Sequence, residues 1–286
     1  MPISDSLQGV PSVSSQTTTP GGLVPFKVIV VLPAYNEGPN LAPLLSAIDH
    51  TMVGAGLRYE VVLVDDGSSD GTLEVLRECQ PKYPLAVVQH VRNRGLAETI
   101  RDGLLEALRR ATDSDVIVTM DADGTHLPSA ILEMIKLIDS GCDVVVASRF
   151  RPGASVRGVP PYRQALSVGA SYLCCVLFPT AGIRDFTCGY RTLRASALQQ
   201  ALREYGEGLF DAEGFSCTMD LLLKLRCMSI VFGETPINLR YDLKAGESKM
   251  KVGSTIFVTL GLLIRRRLGF GSRPVRPPDG NANPLH

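Results

Sequence analysis

The feature that most constrains the fold is a series of five short apolar runs separated by stretches of helical spacing. The first, Lys27–Leu32 (KVIVVL), is continuous and rich in β-branched residues, the pattern of a strand buried on both faces. Similar runs recur at 60–64, 85–91, 116–120 and 144–147, with helices expected over 39–53, 70–79, 96–111 and 128–140. In the first helix Leu41, Leu44, Leu45 and Ile48 share one apolar face. Strands alternating with helices of this length specify βαβ units, hence an α/β fold with a mostly parallel sheet flanked by helices. Such sheets bind ligands beyond the carboxyl ends of their strands. The polar segments that follow each run are therefore where chemistry is expected.

All five runs end in such segments: PAYNE (33–37), DDGSSDGT (65–72), RNRGLAETIRDG (92–103), DADGTHLP (121–128) and SRF (148–150). Asp121 and Asp123 are the sharpest pair. In an extended segment residues i and i+2 face the same side, so two carboxylates converge and repel unless a cation lies between them. Hard oxygen ligands select Mg²⁺ or Mn²⁺. Asp65 or Asp66 is expected to accept a hydrogen bond from a nucleotide base or ribose, whereas Asp70 reads as the cap of the next helix. Neither a GxGxxG after the first strand nor a GxxxxGK[ST] is present, which excludes dinucleotide-binding and P-loop readings.

Taken in order, PAYNE, VDDGSSDGT, RNRGL, DADGTHLP, SRF, DFTCGYR and AGESKM resemble the family 2 glycosyltransferases of GT-A (Rossmann-like) fold, and within them the dolichyl- and polyprenyl-phosphate mannosyltransferases. The resemblance implies a nucleotide-diphosphate sugar donor (GDP-mannose or UDP-glucose), a divalent metal, inversion at the anomeric carbon and a polyprenyl phosphate acceptor. It implies donor contacts from Pro33, Tyr35, Glu37, Asp65 or Asp66, Gly95, Asp121, Ala122 and Arg163. Asp121 and Asp123 match the metal ligands, with Thr125 where relatives often carry Gln. Asp123, Arg149 and Asp220 match catalytic positions, and Arg240, Ser248 and Lys249 match an acceptor-phosphate loop. Asp185 and Gly189 match a further segment in which Cys188 replaces a common Ser. A hydroxyl acceptor would need a general base, for which His126, Asp185 and Asp220 are available. A phosphate acceptor, already an anion, would need none.

Lys and Arg total 29 and balance 29 Asp and Glu, which argues against a general nucleic-acid binder. Seven scattered cysteines without a Cys-x-x-Cys argue against a disulfide framework or zinc site. Residues 1–25 read as a disordered leader, 26–253 as the GT-A domain, 254–270 as an amphipathic basic helix and 271–286 as a flexible tail. The apolar stretches at 163–178 and 254–268 are too short to span a bilayer and read as helices lying at a membrane surface, on its cytoplasmic face. The second ends in Arg265-Arg266-Arg267, a basic anchor. The alternative is that each packs on the sheet, on a partner protein or on a second copy. Two functional alternatives stand beside lipid glycosylation: a soluble enzyme acting on a sugar or small-molecule hydroxyl, and a non-catalytic nucleotide-sugar-binding protein.

Overall fold

A computed structural model describes residues 26–243 and 252–269, with the side chains of 243 and 252–256 excepted. The expected leader, the tail, Ser248 and Lys249 lie outside the described residues. The first half follows the βα alternation closely. It runs β1 (Val28–Ala34), α1 (Gly38–Gly54), β2 (Tyr59–Asp65), α2 (Thr72–Cys79), β3 (Leu85–Gln89), α3 (Leu96–Arg110), β4 (Val116–Thr119), α4 (Ala130–Asp139) and β5 (Val144–Ser148). The second half continues with β6 (Ser155–Arg157), α5 (Pro161–Leu177), β7 (Arg191–Arg194), α6 (Ala195–Tyr205), α7 (Cys217–Leu225), β8 (Phe232–Pro236), β9 (Asn238–Arg240) and α8 (Val252–Arg267).

Seven strands form one sheet in the order β3-β2-β1-β4-β7-β5-β8, and β6 pairs with β9 in a separate ribbon. β1 to β5 and β8 run parallel, and β7 inserts antiparallel between β4 and β5. The carboxyl ends of the first five strands therefore share one edge. β1 and β4 are neighbours although their connections leave in opposite directions across the sheet, which makes the gap between them the switch point where ligands bind. The core is the sheet itself: Val28–Leu32, Val61–Val64, Val116–Val118 and Val144–Ala147 are fully buried. α3 crosses back over β1 and β2, and it approaches closely because position 103 is glycine. A Cβ there would stand 2.6 Å from Val31 Cγ1.

One local expectation shifts. Asp70 precedes the N-cap of α2, which is Gly71. Its carboxylate accepts instead from the Thr72 and Gly38 amides, at 3.0 and 3.3 Å, and so ties α2 to α1.

Candidate active site

A cavity of about 910 Å³ opens at the switch point. Pro33, Tyr35 and Glu37 line it from the end of β1, Asp66 and Gly95 from the loops after β2 and β3, and Asp121, Ala122 and Asp123 from the segment after β4. Arg149 enters from the end of β5 and Arg163 from the first turn of α5. The residues expected at a donor site thus meet in one place, with Asp65, Asp220 and Arg240 outside the lining.

Asp65 and Asp66 are adjacent but not equivalent. Asp66 Oδ1 accepts from the Arg94 amide at 2.8 Å and from His90 Nδ1 at 2.7 Å, while Oδ2 accepts from the Gly95 amide at 2.9 Å. Asp66 therefore holds the loop after β3. Gly95 serves that loop with φ of 90°, the left-handed region glycine tolerates. Asp65 is fully buried; Oδ1 accepts from the Ser68 amide at 3.3 Å, and Oδ2 has no hydrogen-bond partner among the described residues. A buried carboxylate oxygen left unmatched is costly; Asp66, not Asp65, is the member of the pair that lines the cavity. Gly67 brings the two loops together: a Cβ there would meet the Arg92 backbone at 2.5 Å.

The Asp121–Asp123 segment lies just past β4 in bends rather than in extended strand, so the shared-face argument from sequence does not apply to it. Both carboxylates nevertheless line the cavity. Asp123 is buried and accepts from the Thr125 hydroxyl at 2.6 Å and amide at 3.1 Å through Oδ1. Thr125, standing where a longer amide was expected, thus orients Asp123. His126 stacks on Tyr190 with ring centroids 4.7 Å apart, and its Nδ1 accepts from the Asp121 amide at 3.1 Å. The imidazole fixes the backbone of the acidic segment. Among the described residues no three His, Cys, Asp or Glu side chains group as a complete metal cage. Two carboxylates fit Mg²⁺ or Mn²⁺, which commonly takes one or two protein carboxylates and completes its shell with water and substrate phosphate.

Arg149 is clamped. Its Nε and Nη2 donate to the two oxygens of Asp185 at 2.8 and 2.7 Å, and Nη2 also meets the Thr187 hydroxyl. The residue also lines the cavity. Burial opposes the Asp185 carboxylate, but the hydrogen bonds and charge of Arg149 outweigh it and hold Asp185 below the usual carboxylate range. Burial likewise works against the Arg149 cation, and Asp185 more than compensates. The Cys188 thiol beside them is pushed up to about 12 by burial and stays protonated.

Two expectations are corrected. Asp220 is not in the cleft. It is buried in α7 between Lys224, at 2.6 Å, and Arg266 of α8, whose Nε and Nη2 donate at 2.6 and 2.8 Å. An acid at this point neutralises two cations in the interior. Arg266 is correspondingly turned inward, so the arginine triplet offers Arg265 and Arg267 to the surface and not all three. Arg240 is half-buried outside the cavity, and Asp242 takes its Nε and Nη2 at 2.9 and 2.8 Å. Its neighbours Leu239 and Tyr241 reach the cavity, and Tyr241 accepts from Arg163 at 3.1 Å.

The same cavity is also lined by Leu166, Ala170 and Leu173 of α5, Phe215 and Met219 near α7, and Leu260 and Leu263 of α8. This apolar lining was not read from the sequence: the α7 segment was read only for its acid, Asp220.

The sequence matches the family model for glycosyl transferase family 2 over residues 29–202. The chain belongs to this family. It is 36% identical to a dolichol-phosphate mannosyltransferase of Pyrococcus furiosus over 84% of its length, spanning 63% of that relative. It is 32% identical to a polyprenol monophosphomannose synthase of Mycolicibacterium smegmatis, over 80% of this chain and 83% of the relative. The fold is that of GT-A glycosyltransferases. Glucosyl-3-phosphoglycerate synthase from Mycobacterium tuberculosis, solved with Mn²⁺, UDP and phosphoglyceric acid, superposes with a TM-score of 0.61 at 17% identity, covering 87% of this chain and 80% of that one. The same enzyme solved with Mg²⁺ and UDP gives 0.59 at 16% identity, with 87% and 81% covered.

Proposed function

We propose that this family 2 chain transfers a hexose, mannose or glucose, with inversion from a nucleotide-diphosphate sugar to a polyprenyl phosphate at a membrane surface. The observation that carries the reading is the mixed lining of one cavity. It takes in Asp66, Asp121, Asp123 and Arg149 together with Leu166, Leu173, Phe215, Met219, Leu260 and Leu263. A sugar or small-molecule acceptor would leave those apolar side chains unmatched, whereas an isoprenoid chain with a phosphate head suits both kinds of lining. The names of the two curated relatives support the same acceptor class.

The acid–base inventory supports it as well. A hydroxyl acceptor needs a base near its operating pH. Asp185 is spent on Arg149, Asp220 on Lys224 and Arg266, and His126 Nδ1 on the Asp121 amide. A phosphate monoester attacks without losing a proton. In this scheme Asp65 or Asp66, of which Asp66 lines the cavity, receives the base or ribose of the donor. Arg149 and Arg163 donate to phosphate oxygens, where charge-assisted hydrogen bonds are strongest. Asp121 and Asp123 would hold Mg²⁺ or Mn²⁺, which supplies neutralisation of the charge that grows on the departing diphosphate. Peripheral attachment through α5 and α8, on the cytoplasmic face, belongs to the same proposal.

The test is a panel of GDP-mannose and UDP-glucose, each offered with polyprenyl phosphate or with soluble sugars. Transfer to polyprenyl phosphate from one donor, abolished by excess chelator, is the expected result. Asp123→Asn should lower kcat by about 100-fold, the loss of a few kcal/mol of charge stabilisation. Transfer to soluble hydroxyls alone, or full turnover in chelator, would overturn the reading.

A further inference from the structure

We propose that Glu234, a buried acid in the edge strand β8, is the positioning residue that aims Arg149 into the cleft. The proposal rests on the transferase reading above and concerns how its cationic side chain is held.

Glu234 does not line the cavity, and nothing in the sequence pattern marks it. β8 pairs in parallel with β5, in the register Val146 to Glu234 and Ser148 to Pro236, so Glu234 lies beneath the segment that carries Arg149 and Arg151. Its two oxygens are used differently. Oε1 accepts from the consecutive amides of Arg184 and Asp185, each at 2.7 Å. Oε2 faces Arg151 Nε at 3.1 Å. The carboxylate is thereby joined to both segments that form the Arg149 clamp. On one side it fixes the backbone of Asp185, whose oxygens accept from the Arg149 amide at 3.1 Å, from Nε and from Nη2. On the other it forms an ion pair with Arg151, two residues along the chain from Arg149, in which neither Oε2 nor the Arg151 Nε makes a hydrogen bond among the described residues.

A fully buried carboxylate is expensive in a sheet core, and hydrophobic residues of similar volume commonly replace such groups without loss of stability. Its use here gives something packing does not: two parallel amides at the start of the 184–188 turn are pinned in direction as well as in position. The same turn uses Asp185 Oδ1 to accept from the Thr187 and Cys188 amides, at 3.2 and 3.1 Å. Asp185 is thus fixed from behind by Glu234 and within by its own turn. Arg149 keeps two of its three nitrogens on Asp185 while the residue lines the cleft. A phosphate oxygen held by one guanidinium nitrogen is sensitive to placement, and a misplacement of 1 Å can cost about 100-fold in rate.

Two replacements separate positioning from simple support. Glu234→Gln keeps a carbonyl oxygen able to accept both amides and removes the charge facing Arg151. Glu234→Ala removes both. The expected result is a kcat for Glu234→Ala lower by about 10- to 100-fold, with the donor KM changed far less, and a kcat for Glu234→Gln within a few-fold of the parent. The decisive measurement repeats Glu234→Ala in an Arg149→Lys background, where the clamp is already lost. If Glu234 acts through Arg149, the second replacement there has little further effect on kcat, since residues acting as a unit are non-additive. Equal fold-losses in both backgrounds, or a Glu234→Gln variant as impaired as Glu234→Ala, would overturn the proposal. Thermal melts of each variant report folding independently of rate. Failure of the parent chain to transfer from either donor would count against the transferase reading instead, and nucleoside-diphosphate affinity measured by calorimetry, with Mn²⁺ present, would then test the Glu234 effect through binding.

Discussion

At the scale of single residues, the Arg149–Asp185 pair combines stability and chemistry in one contact. Asp185 is fully buried, with Arg149 mostly so. Removing the acid strands a guanidinium in a desolvated place, and breaking such a pair by one partner costs about 3–5 kcal/mol. Asp185→Asn should lower the urea midpoint at neutral pH by a corresponding amount. The pH dependence has a definite sign. Because Arg149 holds the Asp185 carboxyl below its ordinary value, its contribution is complete above roughly pH 4, near the unfolded carboxylate value, and fades as pH falls through the lower folded value. The gap between parent and variant should therefore be wide at pH 7 and narrower near pH 3. A gap that widens on acidification would contradict the assigned pairing. Among the thiols, Cys188 and Cys217 are both pushed up to about 12 by burial, consistent with packing rather than nucleophilic roles.

At the scale of elements, the first five strands and four helices were legible because parallel, doubly buried strands read as unbroken β-branched runs. Their polar ends then named most of the cleft. What the sequence hid is what long-range pairing decides. β7 (RTLR) is a short charged segment that becomes central only because it slots between β4 and β5, and β8 places Glu234 by register. Asp220 was misread for a related reason. Its neighbour at i+4, Lys224, is visible in sequence, but its second partner Arg266 lies 46 residues away in α8. That contact docks α8, whose Thr259, Leu260 and Leu263 close one side of the cavity. Asp220→Asn should then lower the melting temperature and raise hydrogen exchange in α8, while kcat for the folded enzyme stays within a few-fold when the acceptor is saturating. Arg266→Gln should behave alike. A kcat loss of about 100-fold with an unchanged melting curve, the size expected for a catalytic group, would return Asp220 to the chemistry.

At the scale of the whole molecule, the open question is what meets the outer faces of α5 and α8. Among the described residues no helix is long and apolar enough to cross a membrane. α5 has 17 residues, a length of about 26 Å against a hydrocarbon core of about 30 Å. Both helices nevertheless turn large apolar side chains outward: Tyr172 is 72% exposed and Phe257 79%, with Val168, Val176 and Ile264 also exposed. Other side chains of both helices, Leu166 and Leu173 of α5 and Leu260 and Leu263 of α8, line the cavity. A lipid acceptor would bring its chain against those lining side chains, so a bilayer against the outer faces unites the two observations. Arg265 and Arg267 remain at the surface beside these side chains. Each basic residue near an anionic headgroup contributes about 1 kcal/mol, roughly fivefold in affinity, and salt screens it. The chain should therefore float with anionic vesicles at low salt. Arg265→Gln with Arg267→Gln should weaken that binding by about 20- to 30-fold, with a smaller effect at high salt. Tyr172→Ser with Phe257→Ser should weaken it at every salt concentration, because burial of apolar area does not depend on charge. Arg266→Gln, by contrast, should act through the docking of α8 and not through the surface charge. Absence of flotation at low salt would mean that these faces are covered by protein, and the acceptor would then have to enter the cleft without a bilayer alongside.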